Sequence, residues 1–438
     1  MKPTLRNSAH FALVAIASFG VLLYGLITSG QMNNPPLKGD GVDYDAIGFS
    51  LSNGNGFAYD WDNPVYLAPY EPQKDSVYAY LFARTGAFPT ANRPPLYPYI
   101  LASIYLVFGR SFAIARLLNV LVMACTGVIV FDLARRLANV WIGYLCAGFL
   151  LFSAQISYYV ANVLTECLAC LMTALMAWFL VLLAGRDQKR YAYAAGAMLG
   201  LSVLNRSIFL LWIPILLALV FLLKFQAGWK KAAAASGAVL AAALLVLAPW
   251  MIRNCILLGN FMPFGTQGQI NLPAAYSDSA YAQLGVWQKP ADQGVYQDIE
   301  ANFSGLDREI AEAQYGQATG LAWIRKNWRL VPQLAFWKVI DLWRPESALQ
   351  SGQFILAGLG LLFLPRRTAL IFGGMVLANT LAVSLTWSVG NRFMVPVLPL
   401  IYLSAGLALY GMGRAIYLRF FTGKSSKSAA QNPDEKAG

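Results

Sequence analysis

Apolar runs of near membrane-spanning length recur along this chain, at residues 11–28, 112–134, 139–158, 164–184, 191–205, 208–223, 232–250, 352–364, 368–387 and 393–412. Most approach the roughly 20 residues with which a helix crosses a hydrocarbon core. The polar sequence between them comes in two styles. Short turns such as "LNRS", "KFQAGWKK" and "PRR" separate neighbouring runs, whereas two connections, 29–111 and 251–351, are long and mixed in character. The pattern predicts an all-α polytopic membrane protein, with about ten transmembrane helices in a single unit over 1–412. The end, 413–438, containing "GKSSKSAAQNPDEKAG", reads as a disordered cytoplasmic tail.

Charge orients the pattern. Lys2/Arg6, Arg135/Arg136, Arg186/Lys189/Arg190, Lys224/Lys230/Lys231, Arg366/Arg367 and the tail from Arg414 to Lys427 fall on every second connection. Short basic loops mark the cytoplasm, so both termini are expected inside and both long connections outside. Of 21 acidic residues, seven lie in 29–92 and seven in 251–330, which suits folded, solvated structure beyond the membrane. Each outer connection also holds an aromatic, amphipathic piece, "PPLYPYILASIYLVFG" and "LAWIRKNWRLVPQLAFWKVIDLWRP". The second mixes Trp323, Trp328, Trp337 and Trp343 with Arg325, Lys326, Arg329, Lys338 and Arg344, the composition of a helix lying in the interface. The run after Lys2 and Arg6 is longer than a signal-peptide core and no A-x-A site follows, so it reads as an uncleaved first span.

Composition excludes several functions. Only 12% of residues are charged and 58% are hydrophobic, against about 25% charged in soluble chains. The net charge of +12 is dispersed between apolar runs, which is topology rather than a nucleic-acid stripe. His10 is the sole histidine, so a His-based triad, a two-His metal site and a histidine relay are out of reach. The Cys167/Cys170 pair lies inside an apolar run without a partner pair and reads as packing.

What remains for chemistry is carboxylate, guanidinium, tyrosine and backbone. Asp40, Asp43 and Asp45 crowd into "GDGVDYD" just beyond the first span, and they suit either solvated caps of a following helix or an acid–base role. "NGNG" at 53–56 signals a turn. Glu166 stands at the outer end of the fourth span, where an ionisable group needs water or a partner. Arg93, Arg206, Arg253 and Arg392 all sit at the outer edge of the bilayer. Four guanidiniums at one depth suggest recognition of an anionic lipid headgroup, since they match phosphate bidentately. Asp132 is expected to pair with Arg135 or Arg136. The acidic outer loops are compatible with a divalent metal ion, but no ligand spacing compels one, and no metal site or cofactor is assigned.

The ordered set "GDGVDYDAIGFSLSNGNGF", "NRPPLYPYILASIYLVFG", "ARLLNVL", "YYVANVLTE", "GLSVLNRS", "APWMIRNCILLGNFMPFGTQG" and "GNRFMVPVLPLIYL" resembles the GT-C glycosyltransferases, in the branch of protein O-mannosyltransferases and the lipid A aminoarabinose transferase. The resemblance implies an inverting transfer of a sugar from a polyprenyl-phosphate donor to a glycan, lipid or protein acceptor. The reaction would run on the outer face of a bacterial inner membrane. It further implies a catalytic aspartate four residues before a tyrosine, here Asp40 before Tyr44, with Glu166 as a further acid and Arg93 on the donor phosphate. Tyr44 and Tyr97 become candidates for the substrate pocket. Many relatives have Asp-Glu where this chain has Asp40-Gly41 and supplies Asp43, so the division of labour between Asp40 and Asp43 is open. Two other readings compete: an O-antigen polymerase or ligase, and a flippase or transporter of lipid-linked glycans. The Asp-rich loop after span one argues against the first, and the lack of matching halves against the second.

Overall fold

The computed structural model describes residues 5–37, 39–186 and 188–419; Lys2 and the predicted tail from 420 onward lie outside them. Every predicted apolar run is helical. Helix α1 (Leu5–Thr28) is followed by Phe112–Leu137, Val140–Leu151 with Ala154–Val160, Glu166–Gly185, Lys189–Asn205, Trp212–Phe225, Trp229–Leu258, Ala348–Phe363, Arg366–Ser384 and Leu398–Tyr417. Among the described residues seven helices are long and apolar enough to cross a membrane, or eight if the Val140–Leu151 and Ala154–Val160 pair, bent by 60°, is one broken span.

Two expected spans fall short. Lys189–Asn205 and Ala348–Phe363 have 17 and 16 residues, about 25 Å at 1.5 Å per residue. They are wedged among longer helices through glycine. A Cβ at Gly196 would stand 2.2 Å from the Val239 carbonyl oxygen, and one at Gly200 2.9 Å from that of Ala243. Small residues four apart let helix backbones approach where lipid removes the hydrophobic drive. The last span runs on to Tyr417, beyond the expected end at 412.

Contacts sort the connections onto two ends, as the charge parity requires. The Thr90 hydroxyl donates to Glu309 and the Thr266 amide to the Ala91 carbonyl, so the two long connections meet on one side. At the other end Arg367 donates to the Ala184 carbonyl and to Gln226, which brings three basic turns together. Asp132 accepts from Arg135, Arg136 and Trp178, as expected of a structural ion pair.

On the side of the long connections α2 (Asp40–Ser52) leads through a turn at Gly54 and Gly56, both with φ 79, into a two-stranded antiparallel ribbon. Its strands are β1 (Ala58–Asp60) and β2 (Ala87–Pro89), with Tyr59 opposite Phe88. An aromatic core of Phe57, Tyr59, Trp61, Tyr66, Tyr70 and Tyr78 anchors it. The helix Leu96–Phe108 exposes Leu106, Val107 and Phe108, as an interfacial segment would.

The second aromatic segment departs from expectation. It is not one interfacial helix but the end of Gly305–Lys326 and a separate Val331–Leu342. Pro332 sits in the first turn of the latter, where its missing amide costs nothing. Trp328 and Arg329 at the corner are exposed. Lys338, read as a surface charge, is wholly buried and donates to the Ala275 and Thr386 carbonyls at 3.2 and 2.6 Å.

Candidate active site

The acidic cluster is split by helical geometry. At 100° per residue, Asp40 and Asp43 share one face of α2, while Asp45 points about 200° round from Asp43. The helix starts at Asp40 itself, after Gly39 at φ 68, and no side chain caps it. The capping role considered for these aspartates is therefore not what they do. Gly41 leaves little room for a side chain: a Cβ would stand 3.0 Å from Pro36 Cβ and 3.1 Å from the Val163 carbonyl oxygen.

Asp40 and Asp43 begin a ladder of alternating charge. Arg84 donates to Asp43 at 2.7 Å, and Arg93 bridges Asp43 at 2.5 Å and Asp40 at 2.7 Å. Arg392 bridges Asp40 at 2.8 Å and Glu166 at 2.5 Å, and Arg206 reaches Glu166 at 2.6 Å. Residues hundreds of positions apart thus form one file of four guanidiniums and three carboxylates. Glu166 is not a solvated helix end; it is fully buried on two arginines, and its Oε2 has no hydrogen-bond partner among the described residues.

Access distinguishes the acids. The Asp40 side chain is 25% exposed, that of Asp43 5% and that of Glu166 0%. Burial alone would raise the Asp40 carboxyl, but Arg93 and Arg392 beside it hold it well below the usual carboxylate range. The same opposition, with Arg93 and Arg84, keeps Asp43 low. Tyr44, buried next to Asp40, is pushed up to about 12, first by desolvation and then by that carboxylate. It borders the file, with the Arg93 guanidinium 5.9 Å from its ring. Tyr97 stands behind it in an edge-to-face contact at 5.5 Å, in a layer with Leu101 and Val163.

Asp45 and Arg253 are elsewhere. Asp45 is fully buried, accepts from Tyr70 and Tyr105 at 2.6 and 2.7 Å, and is ion-paired with Arg110. Arg253 stacks on Trp250 and donates to the carbonyls of Thr90 at 2.7 Å and Phe57 at 3.3 Å. It braces the backbone near Arg93 rather than joining the file, and forms no ion pair among the described residues.

Arg84, Arg110 and Glu309 were not anticipated from sequence. Arg84 lies in the unremarkable stretch "LFARTG", and nothing local marks it. Among the described residues no group of three Cys, His, Asp or Glu is placed to hold a metal ion. Each site carboxylate already rests on guanidinium nitrogens, so the donor set does not suit a divalent cation.

Residues 92–252 match the family described as dolichyl-phosphate-mannose-protein mannosyltransferase. The whole chain superposes on ArnT from Cupriavidus metallidurans bound to undecaprenyl phosphate, with TM-score 0.54 and 15% identity, covering 97% of this chain and 66% of that one. The chain has the GT-C fold. The GT-C likeness extends to archaeal AglB from Archaeoglobus fulgidus in complex with an inhibitory peptide and a dolichol-phosphate, with TM-score 0.50, 15% identity, and 96% and 52% coverage. The same oligosaccharyltransferase tethered with an acceptor peptide gives 0.51 at 16% identity, with 92% and 50% coverage. This GT-C chain spans between half and two thirds of those proteins' length. No curated protein matched it by sequence. The family match contains Arg93, Glu166 and Arg206; Asp40, Asp43 and Arg392 join them only through the fold.

Proposed function

We propose that this GT-C protein is an inverting glycosyltransferase that moves a sugar from a polyprenyl-phosphate donor to a glycan, lipid or protein acceptor. The site would face the periplasmic side of a bacterial inner membrane, with the termini cytoplasmic. The observation that carries the reading is Asp40, the most open acid in the file, held between Arg93 and Arg392. The lipid phosphates named with the ArnT and AglB structures support a donor of that class.

The chemistry follows from charge. Four guanidiniums against three carboxylates leave one positive charge, which suits the single negative charge of a sugar phosphodiester. The acceptor oxygen or nitrogen attacks the anomeric carbon as its bond to the phosphate oxygen breaks, and the configuration inverts. The acceptor proton passes to Asp40. The departing phosphate monoester gains negative charge as the bond breaks, and arginines fixed in advance stabilise that charge most when it forms. In this mechanism the phosphate displaces Asp40 from Arg93 and Arg392. Losing those two cations raises the Asp40 carboxyl from its depressed value, so the group becomes a better base when the donor is bound. A glycosidase would instead need two carboxylates across the bond. Here Asp43 and Glu166 are engaged in holding arginine.

The test is release of carrier. Purified protein is incubated with a host's polyprenyl-phosphate sugars and envelope extract, and free polyprenyl phosphate and the glycosylated product are followed by mass spectrometry. Wild-type release of one sugar per carrier, absent in Asp40→Asn, is expected. Transfer of a preformed glycan would point to a ligase or polymerase. Translocation of lipid-linked glycan with no transfer product would point to a flippase.

A further inference from the structure

Arg93 and Arg392 each follow a short turn, and each turn is held by a carboxylate of the second long connection, buried on the Arg93 side and half-buried on the Arg392 side. On the Arg93 side that acid is Glu309, 6% exposed, from Gly305–Lys326. It accepts from the Thr90 hydroxyl at 2.6 Å, the Ala91 amide at 2.9 Å and the Thr266 hydroxyl at 2.7 Å. The Thr266 amide in turn donates to the Ala91 carbonyl. The approach is so close that a Cβ at Gly265, φ 85, would stand 2.2 Å from that oxygen. With Arg253 on the Thr90 carbonyl and the Thr90 amide on that of Phe57, the backbone of Thr90 and Ala91 is fully engaged just before Arg93.

On the Arg392 side the acid is Asp341, from Val331–Leu342. A single oxygen, Oδ2, accepts from the Ser388 hydroxyl at 2.6 Å and the Gly390 amide at 3.0 Å. The Trp287 amide donates to the Ser388 carbonyl at 2.8 Å, and Lys338 holds the Thr386 carbonyl. From the membrane side Gln155 donates to Asn391. Neither Glu309 nor Asp341 has an arginine or lysine salt bridge among the described residues, unlike Asp40, Asp43 and Glu166. Their oxygens are spent on backbone amides and hydroxyls that shape the two turns.

We infer that Glu309 and Asp341 are positioning residues, which set Arg93 and Arg392 at the separation needed to grip the donor phosphate. The second outer connection thereby fixes the geometry of the phosphate site without touching the donor. This rests on the glycosyltransferase reading, since it assigns the arginines to that phosphate. A residue acting by reach and one acting by charge respond to different substitutions. Glu309→Asp keeps the charge but withdraws the carboxylate by one methylene. Glu309→Gln keeps the reach, and the threonine hydroxyls are able to turn and accept from its amide. Asp341→Asn keeps the one oxygen that makes both bonds; Asp341→Ala removes it.

The experiment measures affinity of the purified full-length chain for polyprenyl phosphate by calorimetry in detergent, with steady-state transfer and thermal melting on the same samples. Asp132→Asn, which loosens an ion pair at the opposite end, reports the effect of destabilisation alone. Glu309→Asp and Asp341→Ala are expected to weaken binding at least tenfold and to raise the donor KM with a smaller change in kcat. Glu309→Gln and Asp341→Asn should bind within about twofold of wild type. If Glu309→Asp and Asp341→Ala bind like wild type, or lose no more than Asp132→Asn at equal melting loss, the positioning role is overturned while the enzyme reading stands. Absence of binding by wild type, or unchanged binding in Arg93→Ala and Arg392→Ala, would remove the donor reading and the inference with it.

Discussion

Helix α2 presents Asp40 and Asp45 to different arginines, and the two sites have opposite characters. Asp40 is a quarter exposed, shared between Arg93 and Arg392, and belongs to a file with one guanidinium in excess. Asp45 is sealed, with Arg110, Tyr70 and Tyr105 on its two oxygens and the Arg110 guanidinium packed over Phe49, Tyr66 and Phe112. Acid on arginine is therefore not by itself the mark of an active site. The difference lies in access and in spare positive charge. One pair has something left to offer a phosphate; the other is complete.

That contrast is sharpest in paired substitutions. Asp40→Asn is expected to lower transfer by roughly 10²- to 10⁴-fold, the usual range for loss of a general base, while thermal melting changes little. Asp45→Asn should do the reverse. Leaving Arg110 buried without its counter-charge costs about 3–5 kcal/mol, seen as a lower melting temperature or poor accumulation, with normal turnover in whatever folds. Equal stability of the two variants would abolish the distinction drawn here.

A smaller effect is expected within the file. Arg392 uses Nη2 on Asp40 and Nε on Glu166, two directions that a lysine ammonium cannot reproduce from one stem. Arg392→Lys should raise the donor KM roughly ten- to hundredfold, the worth of one charged hydrogen bond. A donor titration with unchanged KM would show that the charge suffices without the fork.

A last prediction concerns Lys338, a buried cation outside the file. Burial pushes its ammonium down to about 7. Because the unfolded chain binds more protons than the folded one between about 7 and the ordinary lysine value, stability should rise with pH across that window. Lys338→Met should flatten that rise. Melting curves of both proteins between pH 7 and 10 give the comparison, and parallel slopes would mean Lys338 stays charged in the fold.

Much of the fold was legible because its signals are local. Apolar runs and basic turns each depend only on neighbours in sequence, and among the described residues the runs reappear as helices, eight of the ten long enough to span if the bent pair is one. The errors arose where packing overrides pattern. Lys338 lies in an aromatic, basic stretch that reads as a surface helix, yet a break before Pro332 turns the second half inward. Arg253 stands at the same depth as the other three arginines but spends its donors on backbone carbonyls.

Sequence by itself determined the all-α, membrane-spanning class, the gathering of acids and arginines in the same connections, and the residue types available for chemistry once His10 was set aside. The reason is that bilayer transfer and charge parity act on each segment separately. Only the tertiary structure decided which acids belong together. Helical rotation sent Asp45 away from Asp40 and Asp43, and the meeting of two distant connections brought Arg84, Arg93, Arg206 and Arg392 into one file. Those contacts span up to several hundred residues, and no periodicity in the chain records them.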